Sequence, residues 1–112
     1  MTKQKKEKNK SIKLSSIDED ILTVLLGREL YGLEILDYIN PNRPGTPLTY
    51  GSIYPALNRL EKKGLIESSW GDESTGSSGA RRKYYKVTGL GASVLEEVQQ
   101  YRLLLAQRTV FG

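Results

Sequence analysis

The sequence predicts a mainly α fold with a small β-hairpin, and three observations carry it. Apolar residues recur at helical spacing in four separate segments. A polar, glycine-rich stretch at 71–79, GDESTGSSG, separates two short runs that read as strands. Pro41, Pro44 and Pro47, with Gly45 among them, break the chain between the second and third helical segments. At 112 residues and 38% hydrophobic composition, the chain is expected to form one domain with a modest core.

Residues 1–14 carry six lysines against one acid, Glu7, and read as a flexible basic arm. Such an arm serves either to lie along a phosphate backbone or to keep the chain soluble. The first helix opens on Ser16-Ile17-Asp18-Glu19, a capping-box pattern with Ser16 as the cap. Asp18, Glu19 and Asp20 fall in its first turn, where the helix dipole favours negative charge. Ile17, Ile21, Val24 and Leu25 give its buried stripe, widened by Leu22 and Leu26, and Gly27 ends it. A second, short helix starts at Tyr31-Gly32, with Ile35, Leu36 and Ile39 inward and Glu34 and Asp37 outward. The proline loop follows as a connector rather than a domain boundary, since neither side is large enough to fold alone.

The third helix lies within Leu48–Ile66. Thr49 is its expected N-cap, Ile53, Leu57 and Leu60 its buried face, and Gly64 its left-handed stop. Pro55 lacks an N–H and crowds the carbonyl of Gly51, so the regular helix is expected from about Ser52 onward. The outer face carries Tyr50, Ser52, Tyr54, Asn58, Arg59 and Lys62. Hydroxyls, an amide and cations are the groups that contact phosphates and base edges, although a solvated helix face looks the same in isolation.

Leu65–Trp70 and Arg81–Val87 read as the two strands of the hairpin. In strict alternation Tyr85 is expected inward with Val87, and Tyr84 outward. Thr88 caps a last helix running to about Arg108. A wheel places Leu90, Val94, Val98, Tyr101, Leu104 and Leu105 in one stripe and leaves Leu95 and Leu103 outside it. That is more apolar surface than one small domain covers, so pairing with a second copy is expected. The residues assigned to that contact are Leu95, Val98, Tyr101, Leu103 and Leu105.

The order of elements is helix, helix, turn, helix, hairpin, helix. It is that of a winged helix-turn-helix, in which the third helix enters the major groove and the hairpin forms the wing. Charge agrees. Outside the arm the chain holds eleven cations and twelve acids, and they are sorted. Acids crowd residues 18–37, whereas Arg59, Lys62, Lys63, Arg81, Arg82, Lys83 and Lys86 crowd the third helix and the wing. No cysteine or histidine is present, which removes thiolate chemistry and the commonest general base and metal ligand. An enzyme would need a carboxylate pair or an activated lysine or serine, and no motif supplies one. No run is apolar enough to span a bilayer. A cytoplasmic, non-catalytic protein with no cofactor and no metal is the expectation.

GSIYPALNRLEKKGLI at 51–66 and RRKYYKVTGLGASVL at 81–95 resemble the PadR family of winged-helix transcriptional regulators. The resemblance spans about Ile17 to Tyr101. It implies a homodimer, usually a repressor, joined through the last helix, and the size resembles the short subgroup without a larger C-terminal domain. It also implies that Tyr54 and Arg82 sit at the DNA backbone. The chain departs from the pattern at Ala80, where relatives often carry arginine, and at Leu33, where a Gly-Tyr pair usually falls. Some relatives bind flat aromatic drugs between tryptophans of the last helix, whereas here the one tryptophan is Trp70 in the wing strand.

The expected organisation is therefore an arm (1–14), a winged-helix DNA-binding domain (15–88) and a C-terminal dimerisation helix (89–112). The expected partners are double-stranded DNA, on a near-palindromic site, and a second copy of the chain, without a membrane. Ser52 and Asn58 are the candidates for base edges. Tyr50, Tyr54, Arg59, Lys62, Arg81, Arg82 and Lys83 are the candidates for phosphates, with Arg59 also able to read guanine. A winged-helix module that binds protein instead of DNA is the competing expectation.

Overall fold

The computed structural model describes residues 12–71 and 81–110. Most of the predicted arm and the hairpin tip, including Ala80, lie outside them. Helix α1 spans Ser16–Leu25. Its cap is Ser15 rather than Ser16. The Ser15 hydroxyl accepts from the Asp18 N–H at 3.1 Å, and the Asp18 carboxylate accepts from the Ser15 N–H at 3.0 Å. The one-residue shift makes Asp18 the third residue of the helix and turns its carboxylate inward, where it is 2% exposed. Ile21, Leu22 and Leu25 are buried, while Leu26 is exposed, because the helix has already ended when the chain reaches it. Gly27 (φ +71°) takes the left-handed conformation that makes this stop. Ile12 and Leu14, within the segment read as an arm, pack against the core.

Strand β1 is only Leu30–Tyr31, and helix α2 follows at Gly32–Ile39. Two residues are too few to show any alternation, so this strand has no sequence signature. Its effect is nevertheless structural: the sheet has three antiparallel strands, not two, in the order β1-β3-β2. A 3-10 turn at Asn40–Asn42 leads into the proline loop. The Asn40 side chain closes that loop, donating to the Leu48 carbonyl and accepting from the Leu48 N–H, both at 2.9 Å.

Helix α3 spans Tyr50–Lys62, capped by Thr49. It is helical from Tyr50, so Pro55 does not delay it to Ser52. The carbonyl that Pro55 cannot bond belongs to exposed Gly51, where water can satisfy it. Ile53, Ala56, Leu57 and Leu60 are buried. Strands β2 (Ile66–Trp70) and β3 (Lys83–Val87) pair from Ile66↔Val87 to Trp70↔Lys83. Tyr85 is buried, and Tyr84 packs edge-on against Tyr31 of β1 with ring centroids 5.5 Å apart.

Helix α4 spans Gly89–Val110. Thr88 caps it, accepting from the Gly91 N–H at 3.0 Å and donating to the Gly64 carbonyl at 2.6 Å. Gly91 is required here: a Cβ would lie 2.1 Å from the Leu65 carbonyl oxygen. Val94 and Leu95 join the core. Leu95 is 2% exposed, which corrects its assignment to the dimer contact. Val98 is half-buried, and Tyr101, Leu103, Leu104 and Leu105 are exposed. The apolar residues of α4 surround the helix rather than line one side, so a wheel could not separate the inner from the outer ones.

Candidate nucleic-acid interface

Tyr50, Tyr54, Asn58 and Lys62 recur every four residues along α3, which places them in one row on its surface. All four are exposed. The rings of Tyr50 and Tyr54 lean together at 5.6 Å between centroids. Gly32, at the start of α2, lets the Tyr50 ring settle against its backbone, since a Cβ there would fall 2.3 Å from the ring. Asn58 and Lys62 have no side-chain partner among the described residues, so an amide and an ammonium are offered to solvent.

Ser52 and Arg59 step off this row, and their side chains are already engaged. The Ser52 hydroxyl donates to the Thr49 carbonyl at 2.8 Å and accepts from the Thr49 N–H at 2.9 Å. Arg59 reaches 2.7 Å to the buried carboxylate of Asp18 on α1. The geometry gives Ser52 a capping task and Arg59 the task of fixing α3 against α1. An acid at the third position of the α1 cap was the available signal for that ion pair.

The wing supplies the facing wall. The Arg82 guanidinium lies 4.7 Å from the centre of the Tyr31 ring. Arg81 and Lys83 each lie 5.8 Å from the Trp70 ring. Lys83 also sits 3.7 Å from Glu61, which in turn accepts from Ser68 at 2.5 Å. Between α3 and the wing runs an open groove of about 460 Å³. Tyr31, Tyr50, Tyr54 and Trp70 line it together with Arg81, Arg82 and Lys83, and none of its lining residues is acidic. Tyr85 lies beneath it. Burial, and then the neighbouring Tyr50, Glu61 and Tyr54, push its hydroxyl up to about 12, so it is neutral across the physiological range. Tyr31 and Trp70 belong to this surface although neither was among the predicted contacts. Trp70 was visible as an exposed aromatic flanked in sequence by polar residues, whereas Tyr31 reaches the groove only through the short strand β1.

The groove can therefore hold an anionic chain. Cations and aromatic rings line it, no acid does, and the row on α3 stands beside it. No helix of the described residues is long and apolar enough to cross a membrane.

The family model of the transcriptional regulator PadR-like family matches residues 21–97, most of the described fold. An uncharacterised protein of Lysinibacillus sphaericus, protein X, is 37% identical over 83 residues, covering 73% of each chain. A PadR family transcription regulator from Clostridium difficile R20291 is similar in structure, with 36% identity and a TM-score of 0.70 over 87% of this chain and 98% of that one. Bacillus subtilis PadR, solved in complex with operator DNA, shares the fold at 24% identity and a TM-score of 0.65, over 78% of this chain and 48% of that one. By sequence and by fold, the chain belongs to the PadR-like family of transcriptional regulators, which are regulators rather than enzymes.

Proposed function

We propose that this chain is a sequence-specific DNA-binding regulator that acts in the cytoplasm as a homodimer, as a repressor, on a near-palindromic site. The observation that carries the reading is the acid-free, cation- and tyrosine-lined groove between α3 and the wing, beside the exposed row of Tyr54, Asn58 and Lys62. In this reading the 15–88 segment binds DNA and α4 within 89–112 joins two copies.

The geometry supports the following roles. Asn58 carries the free amide and reads a base edge, adenine being its bidentate match. Tyr50, Tyr54, Lys62, Arg81, Arg82 and Lys83 hold the backbone. Ser52 and Arg59 keep α3 in place, and the exposed remainder of the Arg59 guanidinium is still open to a phosphate. That the fold can hold operator DNA is known for the Bacillus subtilis protein.

The test is selection from random-sequence duplexes, followed by titration of the winning sequence. Asn58→Ala is expected to cost about 1–3 kcal/mol at one base position and to relax preference there. Arg82→Ala is expected to weaken all sequences alike. Recovery of no common sequence, with affinity set by charge alone, would refute the reading and favour a protein-binding module.

A further inference from the structure

Three consecutive acids near the start of α1 each ion-pair with a different element. Asp18 holds Arg59 of α3 at 2.7 Å, Asp20 holds Arg43 of the proline loop at 3.0 Å, and Glu19 holds Arg102 of α4 at 3.0 Å. Successive helical residues point about 100° apart, which is how one turn reaches three directions. The first two contacts lie within the helix-turn-helix. The third crosses to the helix assigned to dimerisation. Leu95 is the last buried residue of α4 among those whose burial is described, and Arg102 lies seven residues further on, about 10 Å along the axis. Glu19 is thus a brace on the part of α4 that has left the core.

We infer that the Glu19–Arg102 pair sets the half-site separation that the dimer accepts, an inference that rests on the homodimeric DNA-binding reading above. The two α4 helices would join the copies, so the angle between α4 and its own winged-helix body fixes the distance between the two α3 helices. The leverage is large. A tilt of about 10° over a 22-residue helix, about 33 Å long, moves its far end by about 6 Å. One base step is about 3.4 Å. Asp18 and Glu19 are adjacent on one rigid turn, so the brace on α4 and the anchor of α3 share a base. Glu19 and Arg102 are positioning residues that need not touch DNA.

The experiment has two arms. In the first, the unaltered chain, Glu19→Gln, Arg102→Gln and the reciprocal pair Glu19→Arg with Arg102→Glu each select from random-sequence duplexes, and the separations of recovered half-sites are compared. The expected result is one dominant separation for the unaltered chain. Each single variant gains about two- to fivefold relative affinity for sites one base pair longer or shorter, the range an exposed pair can supply. The reciprocal pair restores the single separation. In the second arm a spin label at Lys63→Cys, in a chain that has no other cysteine, reports the distance between the two α3 ends in the dimer without DNA. The expected distance distribution is narrow for the unaltered chain and the reciprocal pair, and broad for the singles.

A dimer whose spacing preference and label distances are unchanged in the singles overturns the inference and leaves the proposed function standing. A monomeric chain overturns both. Variants that weaken every separation alike, or that only weaken self-association, also overturn it, because the pair would then serve assembly rather than spacing.

Discussion

Asp18→Ala should destabilise the chain by about 2–3 kcal/mol, although no catalytic or DNA-contacting role is assigned to Asp18. The side chain is 2% exposed and serves two elements at once. Its carboxylate accepts from the Ser15 N–H, and loss of such a cap costs about 1 kcal/mol. It also accepts from Arg59 at 2.7 Å. A hydrogen bond to a charged group contributes about 1.5–3 kcal/mol, but Arg59 is 44% exposed and regains water when released, so about 1–1.5 kcal/mol is expected here. Urea unfolding followed by far-ultraviolet circular dichroism, at one fixed protein concentration, measures the sum as a fall of about 1–2 M in midpoint. A cycle with Arg59→Ala and the double variant isolates the pair, with an expected coupling of about 1 kcal/mol. A cost below about 0.5 kcal/mol for Asp18→Ala, or simple additivity of the two substitutions, would refute a joint cap and ion-pair role for Asp18.

Other consequences are equally open to measurement. Arg82→Ala together with Lys83→Ala should lower affinity for all duplexes and flatten the logarithmic salt dependence by up to about 0.9 for each phosphate that is no longer neutralised; fluorescence polarisation at several salt concentrations reads both. Gly91→Ala should cost about 1–3 kcal/mol or more, because its Cβ meets the Leu65 carbonyl at 2.1 Å and that backbone must move; chemical unfolding measures it. Leu104→Glu, at an exposed position of α4, should shift sedimentation from dimer towards monomer while the circular dichroism spectrum stays the same. Tyr85 stays neutral to higher pH in the folded chain than in the unfolded one, so its contribution is full below pH 10 and is lost as pH rises towards about 12. Tyr85→Phe should remove that part of the alkaline decline in urea midpoint.

The elements that the sequence made legible are those with long apolar periodicity or explicit stop signals. The caps Thr49 and Thr88, the stops Gly27 and Gly64, and the inward turn of Tyr85 are all as expected. What stayed hidden has identifiable causes. Leu30–Tyr31 is too short to alternate, so the third strand was invisible. The α1 cap slipped by one residue because Ser15 and Ser16 offer the same hydroxyl, and the cap that forms is the one paired with Asp18, the buried partner of Arg59. On α4 the spacing is ambiguous, since leucine occupies every side of the helix, and contact with Leu65 and Val87 at Gly91 selects the face that is buried. On the outer face of α3, composition grouped Ser52 and Arg59 with Asn58 and Lys62. Their side chains part only in three dimensions, where the first two turn to partners in their own chain.

Asn40 bears on how this protein can change. One primary amide, bonded to both polar groups of the Leu48 backbone, spans the mouth of the loop that leads to α3. The distance between the loop's two ends is thereby gauged by a side chain and not by the number of residues between them. The cost of closing a longer flexible loop rises only with the logarithm of its length, about 0.6 kcal/mol per doubling. Residues 41–47 are therefore a tolerant place for insertions. Lineages could lengthen this segment, or an engineer could splice a sensor peptide into it, while α3 kept its starting point. Asn40 itself would be the position that such variation has to spare.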